Sequence, residues 1–306
     1  MLPKLENEGF PITAIREIKL LKQLSHGNVI KLMEVVFDES TSSTYMVFPF
    51  MKHDLVGAQD YRGKNGFSVS EIKCIFHQLL TGLEYLHSHK VIHRDLKLAN
   101  LLISECGTLK IADFGLARLQ GSPHQTNRVI TRWYRPPELL LGVTEYGSSV
   151  DVWSAGAIFG ELVIGKPLFP GESEMNVLGY IFDTLGYPHD WIRNTNLPFA
   201  HEMIPEVNIR PTTRKGTSFR LLCKDLSLIG ISLILSMLKY NPAQRATASN
   251  ILQHEYFKEK PQACNETDIH LCPQPRRELH VKNSINWDRP KLSTKQTTKK
   301  RGRNYL

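Results

Sequence analysis

The sequence has 306 residues, of which 41% are hydrophobic and 22% charged, as is usual for a globular protein large enough for two subdomains. No apolar run approaches the roughly 18 residues of a membrane span, and the first residues lack the pattern of a secretory signal. The sequence therefore predicts a soluble, intracellular protein. The cysteines are scattered and form no C-x-x-C pair, which argues against disulfides or a zinc site and predicts reduced thiols: Cys74, Cys106, Cys223, Cys264 and Cys272.

The net charge of +8 is concentrated at the end of the chain. Residues 276–306 hold ten of the 38 basic residues and two of the 30 acidic ones, so residues 1–275 carry 28 of each sign. The tail is poor in apolar residues and contains the cluster KKRGR, a composition typical of disorder. Two interpretations stay open: a nuclear-localisation or nucleic-acid patch, and a solvated tail without a partner.

A helix and two strands are predicted before residue 50. Within residues 11–25, apolar residues recur every three positions, which predicts an amphipathic helix: Ile15, Ile18, Leu21 and Leu24. NVIKLMEVVF and STYMVFPF then predict two strands joined by the polar turn DESTSS.

The segment after residue 50 is predicted to be mostly helical. SVSE, from Ser68 to Glu71, fits a capping box, and the apolar face that follows predicts a helix ending near HSHK: Ile72, Phe76, Leu79, Leu83 and Leu86. NLLIS and LKIADF flank the turn ECG and predict a β-hairpin. Residues 151–257 are predicted to be mainly helices.

Three short strings carry the chemical information: HRDLKLAN at residues 93–100, ADFG at 112–115 and RPPELLLG at 135–142. In this order they resemble the catalytic loop, the metal-binding motif and the APE-type motif of protein kinases. The resemblance covers residues 5–258 and implies an α+β bilobal fold. It divides the chain into a partial small lobe (1–50), a largely helical large lobe (51–258) and a basic, disordered tail (259–306).

The resemblance implies transfer of the γ-phosphate of ATP with the help of Mg²⁺. This reaction needs positioning and charge neutralisation more than covalent help. Asp95 is then the base that accepts or orients the proton of the substrate hydroxyl. Asn100 and Asp113 are the implied Mg²⁺ ligands, and Lys97 is a cation beside the transferred group.

PITAIRE resembles the cyclin-binding helix of the cyclin-dependent kinases, and TNRVITRWYRPPELLLG resembles their activation segment. The resemblance implies a cyclin partner, a pairing of Glu17 with the ATP-contacting lysine, and phosphorylation of Thr126 by an activating kinase. It also implies that three arginines gather this phosphate and draw the helix, the catalytic loop and the activation segment together: Arg16, Arg94 and Arg118.

The resemblance also implies how substrate and nucleotide bind. Arg135 would bond a backbone carbonyl of a pocket that Ile130 and Thr131 line, so that a substrate proline, which has no N–H, loses least there. This favours Ser-Pro and Thr-Pro substrates. Four residues would surround the nucleotide, at the back of the adenine site, at the hinge, at the ribose and beneath the adenine respectively: Phe48, Met51, Asp54 and Leu102.

Within the family, GFPITAIRE, QTNRVITRWYRPPELLLG and YFKEKP most resemble the nuclear transcriptional kinases that phosphorylate the C-terminal domain of RNA polymerase II. Two positions depart from that branch. Gln125 stands where a tyrosine is usual, and Arg132 stands where a leucine is usual, as in mitogen-activated kinases.

The sequence has no G-x-G-x-x-G before Glu17, and Gly9 is the only glycine before the PITAIRE string. Lys4 lies 13 residues before Glu17, nearer than the family's lysine, which predicts weak ATP binding. Two hypotheses follow. The chain is a cyclin-dependent Ser/Thr kinase whose sequence is incomplete at its start, or it is a catalytically silent module that binds a cyclin and substrates. The intact trio of Asp95, Asn100 and Asp113 favours the first.

Overall fold

The structure is a computed structural model that describes residues 12–40, 43–122, 126–206, 217–224 and 226–272. Lys4, Gly9, Gln125 and residues 273–306, which enter the predictions above, lie outside the described residues. Among the described helices, none is long and apolar enough to cross a membrane.

A helix and a two-stranded antiparallel sheet form the smaller unit, as predicted. Helix α1 runs over Ile12–Gln23, and strand β1 (Glu34–Asp38) pairs with strand β2 (Ser43–Val47). The first strand begins later than predicted because the residues before it contact the larger unit instead. The amide of Ile30 donates to the carbonyl of Ile111 at 2.9 Å.

The buried face of α1 also differs from the predicted one. Leu21 and Leu24 are buried and Ile18 is half-buried, but Ile15 is 50% exposed and Ala14 is buried instead. Each residue advances about 100° around a helix, so a spacing of three drifts by about 60° at each step. Over nine residues this drift takes Ile15 to the side of the helix opposite Leu24.

The long helix α3 (Val69–Ser88) follows the shorter α2 (Leu55–Arg62) and begins with the predicted capping box. The amide of Glu71 donates to Ser68 Oγ at 3.3 Å, and the amide of Ser68 donates to the Glu71 carboxylate at 2.8 Å. The predicted apolar face is buried in full: Ile72, Phe76, Leu79, Leu83 and Leu86.

Two small sheets hold the motif strings. Strands β3 (His53–Asp54), β5 (Leu101–Ile103) and β6 (Leu109–Ile111) form an antiparallel sheet in that order, and β5 and β6 are the predicted hairpin. Strand β4 (Val91–Ile92) pairs with β7 (Arg118–Leu119). Residues 93–100 therefore join β4 to β5, and residues 112–117 join β6 to β7, so the two loops lie side by side.

Helices build most of the remaining large unit: α4 (Pro137–Leu140), α5 (Ser149–Ile164), α6 (Glu174–Leu185), α7 (His189–Asn194), α8 (Ala200–Glu206), α9 (Thr217–Leu222), α10 (Leu228–Met237) and α11 (Ala248–Leu252). Helix α5 is the centre of the core, since every residue from Val150 to Leu162 is buried. A buried salt bridge between Glu138 and Arg245, with two contacts of 2.6 Å, ties α4 to the turn before α11. Such a pair is costly to break because one buried charge loses its partner.

Ordered structure continues past the predicted boundary at residue 258, which is a correction to the predicted tail. Residues 259–272, here called the strap, pack on α3 and reach β3. Buried Lys73 donates to the Glu259 carbonyl at 2.7 Å, and His53 Nε2 donates to the Cys272 carbonyl at 2.8 Å. Ile269 of the strap is buried in the hydrophobic core. The tail therefore starts after residue 272 at the earliest.

Candidate active site

The backbone of the HRD loop is held by one buried carboxylate. Asp151, near the start of α5, accepts the amides of His93 (2.8 Å) and Arg94 (2.9 Å) and a hydrogen bond from His87 Nε2 (3.0 Å). Burial alone would raise the pKa of Asp151, but these hydrogen bonds and the nearby histidines lower it. The ionised carboxylate is thus stabilised, and it supports Arg94 in a left-handed backbone conformation with φ of 66°.

The predicted catalytic residues meet at the Asp95 carboxylate. Its Oδ2 atom accepts from Lys97 Nζ at 2.6 Å and from Asn100 Nδ2 at 3.1 Å. Its Oδ1 atom accepts from the hydroxyl of Thr131 at 2.9 Å and from the Thr131 amide at 3.1 Å. The predicted catalytic loop and the predicted activation segment therefore share one carboxylate.

The two predicted metal ligands lie on neighbouring strand ends. The amide of Ala112 donates to the Asn100 carbonyl at 2.9 Å, which fixes Asp113 beside Asn100. Asn100 directs its side-chain nitrogen to Asp95, which leaves its Oδ1 atom for a cation. Carboxylate and amide oxygens suit Mg²⁺, and a site with few protein ligands suits a metal that also binds phosphates. The described residues contain no cluster of three or more His, Cys, Asp or Glu that would hold a metal without a nucleotide.

Glu17 approaches the same site from α1. A Cβ atom added to Gly115 would lie 3.5 Å from Asp113 Oδ1 and 3.7 Å from Glu17 Oε2, so the two carboxylates flank this glycine. Burial, and then the charge of Asp113, raise the pKa of Glu17. Within the part of the chain that the structure describes, no lysine or arginine forms an ion pair with Glu17. This carboxylate pair would be stabilised by a cation.

The predicted phosphosite is exposed and electropositive. Thr126 lies on the surface. Burial, followed by the charges of Arg94 and Arg16, lowers the pKa of Arg118, as expected where the three guanidinium groups are within electrostatic reach of one another. Arg94 Nη1 donates to the hydroxyl of Tyr146 at 2.9 Å, and that hydroxyl donates to the Thr126 carbonyl at 2.8 Å. A phosphate at Thr126 would neutralise this cluster.

The predicted substrate pocket has its internal hydrogen bonds. Arg135 Nε donates to the Val129 carbonyl at 2.7 Å, and its Nη2 donates to the Ile130 carbonyl at 2.9 Å. Its Nη1 forms a salt bridge with Glu174. Ile130 is buried with φ of 65°, a conformation that is rare for a β-branched residue. These bonds occupy the Val129 and Ile130 carbonyls, as the predicted pocket for a substrate proline requires.

Three of the four predicted nucleotide residues pack against the core, and the fourth lies beside one of them. Phe48, Met51 and Leu102 are half-buried and pack against the core, and Leu102 pairs with Asp54 in the register of β3 and β5. Asp54 caps α2, since its Oδ1 accepts the amide of Gly57 at 2.9 Å. This bond directs at least one Asp54 oxygen to the helix.

Comparison with known proteins identifies the family. The model "Protein kinase domain" matches residues 3–257. The chain belongs to the protein kinase family. Its kinase domain is 46% identical over 284 residues to "Cyclin-dependent kinase C-1" of Oryza sativa subsp. japonica, covering 86% of this chain and 53% of that protein. It is 42% identical over 260 residues to "Probable cyclin-dependent kinase 10" of Dictyostelium discoideum, covering 84% of this chain and 69% of that protein.

A solved structure agrees with the kinase fold. The yeast RNA Pol II CTD kinase CTDK-1 complex contains a chain with a TM-score of 0.77 and 40% identity, and the match covers 86% of each chain. The predicted α+β kinase fold and the resemblance to cyclin-dependent kinases are therefore confirmed. The kinase chain described here spans about half the length of the plant C-type relatives that it matches.

Two residues that contact the predicted site escaped sequence reasoning. Asp151 had a detectable signal, because it is a lone charge in the apolar run SVDVWSAGAIFG. Tyr146 had none, since a tyrosine between a threonine-glutamate pair and a glycine resembles any surface loop. Its partners Arg94 and Thr126 lie 52 and 20 residues away in sequence.

Proposed function

We propose that the chain is the catalytic subunit of a cyclin-dependent Ser/Thr kinase that transfers the γ-phosphate of ATP to Ser or Thr followed by Pro. The observation that carries the proposal is the Asp95 carboxylate, which is bonded to Lys97, Asn100 and Thr131 at once. Four hydrogen bonds converge on this one buried carboxylate, an arrangement that fits a group whose orientation has to be fixed for chemistry.

In this mechanism the chain positions the substrate hydroxyl and neutralises the charge of the transferred phosphoryl group. Bound Mg·ATP supplies the transferable phosphoryl group, and Asn100 and Asp113 would hold the metal. Asp95 orients the substrate hydroxyl and takes its proton, while Lys97 keeps a positive charge beside the transferred group. Arg135 keeps the carbonyls of the substrate pocket occupied, so a substrate proline loses no hydrogen bond there.

Partners and location follow from the relatives. A cyclin would bind the exposed side of α1, where Ile15 is half exposed, and an activating kinase would phosphorylate Thr126. The name of the yeast RNA Pol II CTD kinase favours repeats of the RNA polymerase II C-terminal domain as substrate and therefore a nuclear location, with or without a cytoplasmic pool. The basic tail is a second candidate contact, with nucleic acid.

A second function is supported by Glu17. Its pKa is raised beside Asp113, and it has no ion pair within the described residues. A chain that cannot neutralise this pair would bind Mg·ATP weakly and would act as a cyclin- and substrate-binding module.

The test is to purify the 306-residue chain with its cyclin and to measure Mg·ATP binding and phosphate transfer to a Ser-Pro peptide. A matched Ser-Ala peptide is the specificity control. We expect transfer to Ser-Pro, and a loss of roughly 10²–10⁴-fold in kcat for Asp95→Asn with the fold retained. Cyclin binding without transfer would instead support the binding module, and equal use of both peptides would contradict the role of Arg135.

A further inference from the structure

The hydroxyl of Tyr146 bridges two elements that phosphorylation is expected to join. It accepts a hydrogen bond from Arg94 Nη1 at 2.9 Å and donates one to the Thr126 carbonyl at 2.8 Å. We propose that Tyr146 is a positioning residue, a latch that holds the activation segment against the HRD arginine before Thr126 is phosphorylated. This inference rests on the proposed function and names a form of regulation within it.

The Arg94 end of the bridge is rigid. The amide of Arg94 is bonded to Asp151, its backbone has φ of 66°, and its Nε donates to the Leu116 carbonyl at 2.7 Å. Because Nε is already bonded, the two terminal nitrogens of the guanidinium group are the atoms that can bond to other elements, and Nη1 donates to the Tyr146 hydroxyl. A hydrogen bond to a charged group contributes more than one between neutral groups, so this contact is the stronger half of the bridge.

The Thr126 end leaves the phosphorylation site accessible. Tyr146 bonds the backbone carbonyl of Thr126, whereas the Thr126 hydroxyl is exposed and accepts only the amide of Arg128, at 3.1 Å, among the hydrogen bonds of the described residues. The latch therefore does not compete with phosphorylation. It leaves the Thr126 hydroxyl at the surface and links the Thr126 carbonyl to Arg94 through two hydrogen bonds.

The chemistry of the bridge requires a neutral phenol, because the oxygen has to donate and accept at the same time. Burial raises the pKa of Tyr146, although the charge and hydrogen bond of Arg94 oppose this, so the phenol stays neutral at physiological pH. Phenylalanine would keep the ring and lose both bonds. This makes Tyr146→Phe a change of the bridge without a change of the packing.

The latch predicts that Tyr146 matters most when the phosphate is absent. Without phosphate, the bridge is the contact between Arg94 and the Thr126 backbone. With phosphate, charge-assisted bonds to Arg16, Arg94 and Arg118 would hold the same segment and make the bridge redundant. Phosphorylation should therefore rescue Tyr146→Phe, whereas a defect in packing would persist in both forms.

The test compares the full chain with its cyclin as wild type and Tyr146→Phe, each with and without phosphate on Thr126. Tyr85→Phe is the matched control, because it too removes a tyrosine hydroxyl that bonds to the backbone: the Tyr85 hydroxyl accepts a hydrogen bond from the amide of Ser25 at 3.0 Å, in a different part of the sequence from the activation segment. Amide hydrogen exchange of residues 126–129 is the first measurement, and it does not depend on activity. Steady-state kcat and the KM for ATP are the second.

For unphosphorylated Tyr146→Phe we expect the amides of residues 126–129 to exchange roughly tenfold faster than in wild type. We expect kcat to be roughly tenfold lower and the KM for ATP to be unchanged. In the phosphorylated form both should return to within about threefold of wild type, and Tyr85→Phe should change neither. Equal defects with and without phosphate, faster exchange spread across α5, or no change at residues 126–129 would each overturn the latch. If the wild type transfers no phosphate, the proposed function fails, and the exchange measurement still decides the latch.

Discussion

The two oxygens of the Asp95 carboxylate have partners from different segments of the chain. Its Oδ2 atom faces groups of its own loop, Lys97 and Asn100, while its Oδ1 atom faces Thr131 of the activation segment. A displaced activation segment would therefore lose its hydrogen bonds to Oδ1 and leave those to Oδ2 intact. A shift of this segment would thus alter the orientation of the Asp95 carboxylate while the loop keeps its own hydrogen bonds.

Ile15 gives a prediction at the scale of one residue. It is 50% exposed on α1, where an isoleucine gains little unless a partner covers it. We expect Ile15→Asp to weaken cyclin binding by roughly 10–100-fold, because burying such a side chain contributes about 1.5–3 kcal/mol. The melting temperature of the free chain should stay within about 3 °C of wild type, since half of the residue is exposed and little packing is lost.

The measurement is a binding titration of the purified chain with cyclin, with melting curves of both variants. Lys22→Ala is the control, because Lys22 is exposed near the other end of the same helix. A lower melting temperature with unchanged cyclin affinity would mean that Ile15 packs within the kinase instead.

Residues were predictable from sequence where their partners lie close along the chain. Asp95, Lys97 and Asn100 sit within six positions, so one short string that resembles a kinase motif was enough to predict a shared site. Asp151 contacts the same loop from 57 and 58 residues away, and Tyr146 contacts Arg94 from 52, and spacing along a chain carries no such information. The role of Arg135 came from a resemblance, and its contacts to residues five and six positions earlier agree with it.

At the scale of elements, one acid anchors the segment of the predicted substrate pocket to α5. The hydroxyl of Tyr134 donates to a carboxylate oxygen of Glu161 at 2.7 Å, and both residues are buried. Burial raises the pKa of Glu161 to about 7, although the hydrogen bond from Tyr134 opposes the shift. The folded state therefore binds this proton more tightly than the unfolded state does.

This difference predicts how stability depends on pH. Because the pKa is higher in the folded state, the contribution of Glu161 to the free energy of unfolding is largest below pH 4.5 and declines as pH rises to about 7. Over this window the loss is of order 3 kcal/mol. Glu161→Gln, which has no proton to lose, should show no such decline.

The measurement is urea unfolding of wild type and Glu161→Gln at pH 5, 6, 7 and 8. We expect the variant to gain stability relative to wild type with rising pH, and to gain most between pH 5 and 7. Glu145→Gln is the control at an exposed acid. A difference between wild type and Glu161→Gln that stays constant across pH would contradict the raised pKa.

Elements were predictable where their signals are local. The capping box of α3 and the β5–β6 hairpin each depend on residues within one turn, and both formed as predicted. Helix α1 was predicted in position but not in its buried face, because three-residue spacing does not follow the period of 3.6. The strap was not predicted because its few apolar residues form no local pattern, and their burial depends on contacts with α3, which is distant in sequence.

For the whole molecule, long-range contacts close the large lobe twice. Glu138 and Arg245 pair across 107 residues, and the strap ties the end of the kinase domain back to α3 and β3. Gly107 shows how closely the strap lies on the hairpin, because a Cβ atom there would meet the Glu266 carbonyl at 1.8 Å. The strap follows the last residue of the match to the family model, residue 257, yet it is part of the folded body.

Deleting the chain from residue 259 should therefore destabilise it, whereas deleting it from residue 273 should not. The longer deletion exposes Ile269's site on the body and leaves buried Lys73 without the Glu259 carbonyl, which together cost on the order of 4 kcal/mol. For a domain of this size that is a fall of roughly 10 °C in melting temperature. The shorter deletion removes none of the described contacts, so we expect a change within about 2 °C.

Calorimetry of the two deletions separates the strap from the tail, and Lys73→Met separates its two contributions. In the long deletion this substitution replaces an unpartnered ammonium group by an apolar side chain of similar length, so it should recover part of the lost stability. In the full chain the same substitution removes the bond to Glu259 and the contact of Nζ with the Tyr256 ring, 4.5 Å from its centroid, and should not stabilise. If both deletions melt at the same temperature, the strap is not part of the folded body. If Lys73→Met does not raise the melting temperature of the long deletion, the loss comes from the apolar contacts of the strap and not from the buried charge.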